Sequence, residues 1–158
     1  MTFKGSISDI VPHDAPMLLL DRFVRSDENT LVAEVDIGGN TPFFEAGSGV
    51  PSYVGMEYMA QAIAAFNGLK DYRLGQAVKP GFLLGSRNVT LNKPYFEEGC
   101  TVSITVTVSF NDGEMAVFDG SVQVGDDVVA SARINAFQPK NPEKFIQTAR
   151  EQHSSSAV

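Results

Sequence analysis

Cysteine is almost missing from this chain of 158 residues. The single Cys100 excludes an internal disulfide, and two distant histidines, His13 and His153, give no metal-ligand cluster of recognisable spacing. Cys100 reads as an unreactive small hydrophobe at a strand start. Positive charge is also scarce: 12 lysines and arginines stand against 19 acids, for a net charge of -7. Phosphate neutralisation needs clustered cations, so broad nucleic-acid binding is not expected. No apolar run approaches the roughly 18 residues of a bilayer span, so no membrane partner is expected either. The opening MTFKGSISDIVPHD has neither an apolar h-region nor a small-residue cleavage site, which makes the cytoplasm the expected compartment.

What is present is a globular composition, 43% hydrophobic with mean hydropathy -0.04, in a length that suits one domain. The reading is a single domain over 1–137 and a polar tail over 138–158, with a short helix expected around Pro142 to Glu151. LVAEVDI at 31–37 alternates Leu31, Ala33, Val35 and Ile37 with its other face, the period of a half-buried strand. From Tyr53 to about Leu69 the spacing becomes helical, and Val54, Tyr58, Ala62, Ile63, Phe66 and Leu69 form one broad apolar face. Pro51 and Ser52 fit its start, Asn67 and Gly68 its end. Between Val54 and Leu69 the only charge is Glu57, so the helix reads as largely buried, and its alanines allow close approach of a sheet.

Four more strands are expected in succession, at 82–91, 101–110, 115–124 and 128–137, as antiparallel neighbours. TVSITVTVSF has the clearest alternation, and NDG at 111–113 and GDD at 125–127 are hairpin turns. One strand, a buried helix and four antiparallel strands make an α+β chain whose sheet must wrap the helix. This is the hot-dog fold.

Four segments carry a family resemblance: PHDAPMLLLDR at 12–22, NTPFF at 40–44, GMEYMAQA at 55–62 and KPGFLLGSRNVTLNKPYFEEGC at 79–100. Together they resemble the 3-hydroxyacyl-acyl-carrier-protein dehydratases of the hot-dog superfamily. Within it the chain is most similar to the dehydratase-like branch associated with aryl polyene and related polyketide clusters. The resemblance implies that Glu57 holds the catalytic carboxylate position and Gln61 the family's glutamine. It also implies an active site between protomers, a substrate carried on the phosphopantetheine of acyl carrier protein or on CoA, no cofactor of the protein's own, and fatty acid or polyketide biosynthesis as the setting. One departure matters: family members carry a His-Phe-Pro-Gly stretch before the helix, and its histidine is their base. FFEAGSGVPSYVGME at 43–57 has no histidine and is shorter.

The chemistry expected is loss of water from a 3-hydroxyacyl thioester, which needs an acid, a base and stabilisation of the thioester oxygen. Glu57, desolvated on an apolar helix, is the expected acid, with a glutamate satisfied by a partner Arg or by the helix N-terminus as the other reading. The helix-start amides of Tyr53, Val54 and Gly55 are the expected oxyanion donors. Ser52 is either an N-cap or a substrate contact. Gln61, one turn beyond Glu57, holds the carboxyl or a substrate hydroxyl, or is a satisfied buried amide. His13 is the remaining candidate base, because His153 sits in a polar tail, and a structural role for His13 stands beside it. Asp21 and Arg22 read as a structural ion pair. Lys70, Arg73, Lys79, Arg87 and Lys93, opposed only by Asp71, read either as a basic patch for phosphopantetheine or an acidic carrier, or as a solvated surface.

Two rival functions accompany the dehydratase. One is a hot-dog acyl thioesterase, which needs no histidine. The other is a non-catalytic acyl-binding subunit of a heteromeric dehydratase. A sheet this short leaves an open strand edge, so a homodimer, or a heterodimer with another hot-dog protein, is expected. The residues leave acyl length, carrier protein versus CoA, and fatty acid versus polyketide pathway open.

Overall fold

The computed structural model describes residues 3–11, 18–78 and 82–137. His13, Lys79, His153 and the tail from 138 onward lie outside the described residues. In chain order the strands are β1 (Arg22–Ser26), β2 (Thr30–Asp36), β3 (Val50–Pro51), β4 (Phe82–Leu91), β5 (Tyr95–Phe96), β6 (Thr101–Asn111), β7 (Met115–Val124) and β8 (Asp127–Phe137). Among the described residues the one α-helix, α1 (Gly55–Arg73), falls between β3 and β4. A six-stranded antiparallel sheet, ordered β1-β2-β6-β7-β8-β4, packs around it, and β3 and β5 form a separate short ribbon. Among the described residues no helix is long and apolar enough to cross a membrane.

Register follows the alternation in the sequence. Leu31, Ala33 and Val35 of β2 stand opposite Val106, Ile104 and Val102 of β6, and all six are buried. Phe118 pairs with Ile134, and Gly120 with Ala132, so β7 and β8 have a low spot at the second pair. Gly120 is needed there, because a Cβ would fall 2.6 Å from the Met59 sulfur. The β6–β7 turn is fixed by Asp112, whose carboxylate accepts the amides of Glu114 and Met115. Those bonds hold its carboxyl below the usual carboxylate range.

Three expectations are corrected. β1 was not anticipated, because RFVRS is short, charged and mostly exposed. β4 is not a neighbour of β6: β2 takes that place, and β4 pairs with β8 at the opposite edge. The helix does not stop at Asn67 and Gly68 but continues to Arg73. Gly68 is there for space, since a side chain would run into the Ile10 carbonyl packed against the helix. Glycine spacing that suggests a helix end is, here, a contact with the opening segment.

Candidate active site

Buried side chains surround most of α1, and its first turn forms the candidate site. Pro51 pairs with Tyr95, and the Ser52 amide donates to the Pro94 carbonyl at 2.9 Å. A 3-10 turn, Ser52–Val54, then runs directly into α1. Ser52 is therefore not the helix N-cap: that position falls to Val54, which makes no side-chain cap, and Ser52 is buried. The continuous turn also occupies an expected oxyanion donor, because the Gly55 amide returns to the carbonyls of Ser52 and Tyr53. Of the three expected donors, the Tyr53 and Val54 amides are left.

Glu57 and Gln61 are brought together one helical turn apart. The Gln61 amide nitrogen donates to a Glu57 carboxylate oxygen at 3.3 Å, while its carbonyl oxygen accepts the Leu19 backbone N–H at 2.7 Å. Gln61 is only 1% exposed, so it is a satisfied buried amide and a support for Glu57 at once. Tyr58, the next residue along, points its ring into the core against Phe96, and burial pushes its phenol well up.

Glu57 itself is exposed. This corrects the expectation of a desolvated carboxyl: the sheet covers the other sides of α1 but stops short of this one. The carboxyl instead stands between two clefts. One, of about 240 Å³, is walled by Met56 and by Leu83, Leu84, Gly85 and Ser86 of β4. The other, of about 680 Å³, is walled by Leu19, Pro42, Phe43, Tyr53 and Met56, with Val54 beside them. Met56 and Glu57 are common to both, and the larger is mostly apolar. Phe43, Met56, Leu83 and Leu84 were not singled out as site residues from the sequence. Phe43 stood in the quoted NTPFF string, but only its backbone, at φ 69, sets it apart.

The remaining charge assignments change. Asp21 does not pair with Arg22: its carboxylate accepts the Asp36 amide at 2.7 Å. Arg22 bonds Glu34 at 2.8 Å and Asp36 at 2.6 and 2.9 Å across the β1–β2 pair. Of the cations from 70 to 93, Lys79 lies outside the described residues, and Lys70 and Lys93 stand apart. Lys70 lies over the Phe66 ring near the far end of α1, and Lys93 pairs with Asp127 beside the β7–β8 turn. Cys100 is half-buried against the core just before β6, and burial pushes its thiol up.

A sheet wrapped on one buried helix, with an exposed carboxylate at that helix's first turn, defines a hot-dog protein with an acid-bearing site. The chain belongs to the ApeP-like dehydratase family, whose description is ApeP dehydratase and whose match spans residues 5–147. It is 30% identical over 132 residues to the 3-hydroxyacyl-[acyl-carrier-protein] dehydratase FabZ of Streptococcus pneumoniae serotype 4, covering 81% of this chain and 91% of the relative. Among solved structures it is similar to a chain of the dehydratase heterocomplex ApeI:P from Xenorhabdus doucetiae. That match has 28% identity and a TM-score of 0.85, over 93% of this chain and 99% of that one. The Escherichia coli PaaI protein shares the fold at 15% identity and a TM-score of 0.58, over 73% and 81% of the two chains.

Proposed function

We propose that the chain converts 3-hydroxyacyl thioesters, presented on acyl carrier protein or CoA, into 2-enoyl thioesters and water. The observation that carries this reading is Glu57, an exposed carboxyl set between two clefts and tied through Gln61 to the opening segment. A base takes the C2 proton, Glu57 in its acid form protonates the C3 hydroxyl as it leaves, and the electron pair of the broken C–H bond forms the double bond. The Tyr53 and Val54 amides are the proposed donors to the thioester oxygen, and Ser52 shapes the turn that presents them. Gly55 contributes by its lack of a side chain, since a Cβ would meet the Phe96 ring at 3.2 Å.

The proposed base is His13, on the sequence argument of elimination. Covering the clefts with substrate and a second chain would exclude water from the reacting atoms. The smaller cleft opens on β4, the sheet edge, where Leu83, Leu84, Val89 and Leu91 are exposed. This favours a site completed by a second hot-dog chain, and the similarity to a chain of a dehydratase heterocomplex supports a different subunit in that place.

The test supplies 3-hydroxyacyl and 2-enoyl thioesters to the chain, alone and with a hot-dog partner, and follows both interconversion and thiol release. Interconversion that falls about a hundredfold or more in Glu57→Gln supports the reading. Thiol release without interconversion replaces it with a thioesterase, and near-normal turnover by Glu57→Gln removes the acid. Normal dehydration by a folded His13→Ala protein removes the base.

A further inference from the structure

We propose that Phe43 is a specificity-determining residue, its ring forming the wall against which the acyl tail lies beyond the carbon that Glu57 serves. This rests on the dehydratase reading above and names how that site selects its substrate. Phe43 has φ 69, a left-handed backbone that a bulky L-residue adopts at a cost and that glycine or asparagine adopts easily. The position is held by a closed set of bonds. The Phe44 amide donates to the Thr41 carbonyl at 3.1 Å, and the Thr41 hydroxyl accepts the Gly38 amide at 2.8 Å while donating to the Asp36 carbonyl at 2.9 Å. Beyond it, the Glu45 amide bonds the Gly49 carbonyl, and the Tyr95 phenol bonds the Glu45 side chain.

The strained residue is not part of the core. Its neighbour Phe44 packs against the core, whereas Phe43 is 62% exposed. Strain retained at an exposed aromatic calls for a use outside the core. The ring lines the same cleft as Glu57, together with Tyr53, itself 64% exposed. A largely apolar cleft with a carboxylate in its wall suits a ligand with a polar reacting centre and an apolar continuation. In a 3-hydroxyacyl thioester these are the C3 hydroxyl, at Glu57, and the tail, toward Phe43.

The experiment measures kcat/KM for 3-hydroxyacyl thioesters of short, medium and long tail with wild type, Phe43→Gly and Phe43→Asn, each alone and with a hot-dog partner, alongside melting temperature and oligomeric state. Both substitutions accept the left-handed backbone, so melting should hold steady or rise. The ratio of long-tail to short-tail kcat/KM should fall by about tenfold, the scale of a lost apolar pocket contact. An unchanged ratio, whether the rates hold or fall together, overturns the assignment. So does a change in oligomeric state, which would make Phe43 an interface residue. Wild type inactive on every tail, with the partner as well as alone, would overturn the dehydratase reading and this one with it, whereas an active wild type with parallel variant profiles overturns only the role of Phe43.

Discussion

The side-chain carbonyl of Gln61 accepts the backbone N–H of Leu19 at 2.7 Å, inside the protein, and joins the middle of α1 to the segment leading into β1. The other end of the same amide donates to Glu57 at 3.3 Å. One side chain therefore satisfies a buried backbone donor and orients the candidate acid, and both roles depend on its two ends being chemically different.

Gln61→Leu keeps the volume but removes both bonds. The orphaned Leu19 amide should destabilise the fold by about 1–3 kcal/mol, read as a lower urea midpoint. Dehydration should fall further than loss of folded protein explains. Gln61→Glu keeps an acceptor for Leu19 but buries a second carboxyl beside Glu57, so it should recover neither stability nor turnover. Recovered turnover would show that Gln61 does not position the acid.

Alternation and turn residues made most of the strands legible, and the strand bounds at 82–91 and 115–124 agree with the structure. Pairing order was less legible, because alternation reports which face is buried and says nothing about which edge a strand joins. RFVRS failed as a strand signal because β1 is an edge held by ion pairs to Glu34 and Asp36. At the site, Glu57 stood out as the lone charge in an apolar helix. Its exposure did not, because helical periodicity does not reveal where a wrapping sheet stops. Phe43 was quoted only as part of a family string, since a left-handed φ is a property of the loop's hydrogen bonds.

Asp36 gives a pH prediction. The Arg22 guanidinium, with help from the Thr101 hydroxyl, lowers its carboxyl from 3.8 to about 2. A carboxyl depressed by folding stabilises the native state above its unfolded value and loses that contribution as pH falls through the folded value. Asp36→Asn should therefore show its full stability deficit above pH ~4, shrinking toward zero near pH ~2. The deficit should be small, because Arg22 and Asp36 side chains are 44% and 54% exposed and solvent screens them. Urea midpoints of both proteins across this range check it, and a deficit that grows toward acid would contradict the pairing.

Gly68→Ala tests the contact between α1 and the opening segment. Alanine normally favours a helix interior by about 1 kcal/mol over glycine. Here the added Cβ meets the Ile10 carbonyl, a backbone atom that moves only with the opening segment. The variant should be destabilised by about 1–3 kcal/mol, the overpacking range, visible as a lower melting temperature. A stabilised variant would mean that the opening segment yields freely.

The last prediction concerns β4. Its outer edge is unpaired in the single chain, and Leu83 and Leu84 are 50% and 53% exposed. An exposed apolar edge of this kind associates unless something covers it. Its pairing with β8 shifts register between Leu83 and Gly85 and again between Arg87 and Thr90, and Asn88 has φ 55. These irregularities shape the edge, so a partner must fit a bent strand, which favours a specific hot-dog chain over indiscriminate stacking. Leu84→Lys places a charge on that surface without touching a buried residue. Its circular dichroism should match wild type, while sedimentation should show weaker association with itself or with a hot-dog partner. Because Leu84 walls the smaller cleft beside Glu57, turnover should fall with association and recover when the partner is raised to excess. If assembly is unchanged in Leu84→Lys, β4 is not the joining edge. If assembly is lost while turnover persists, the single chain holds a complete site and the second subunit is not needed for catalysis.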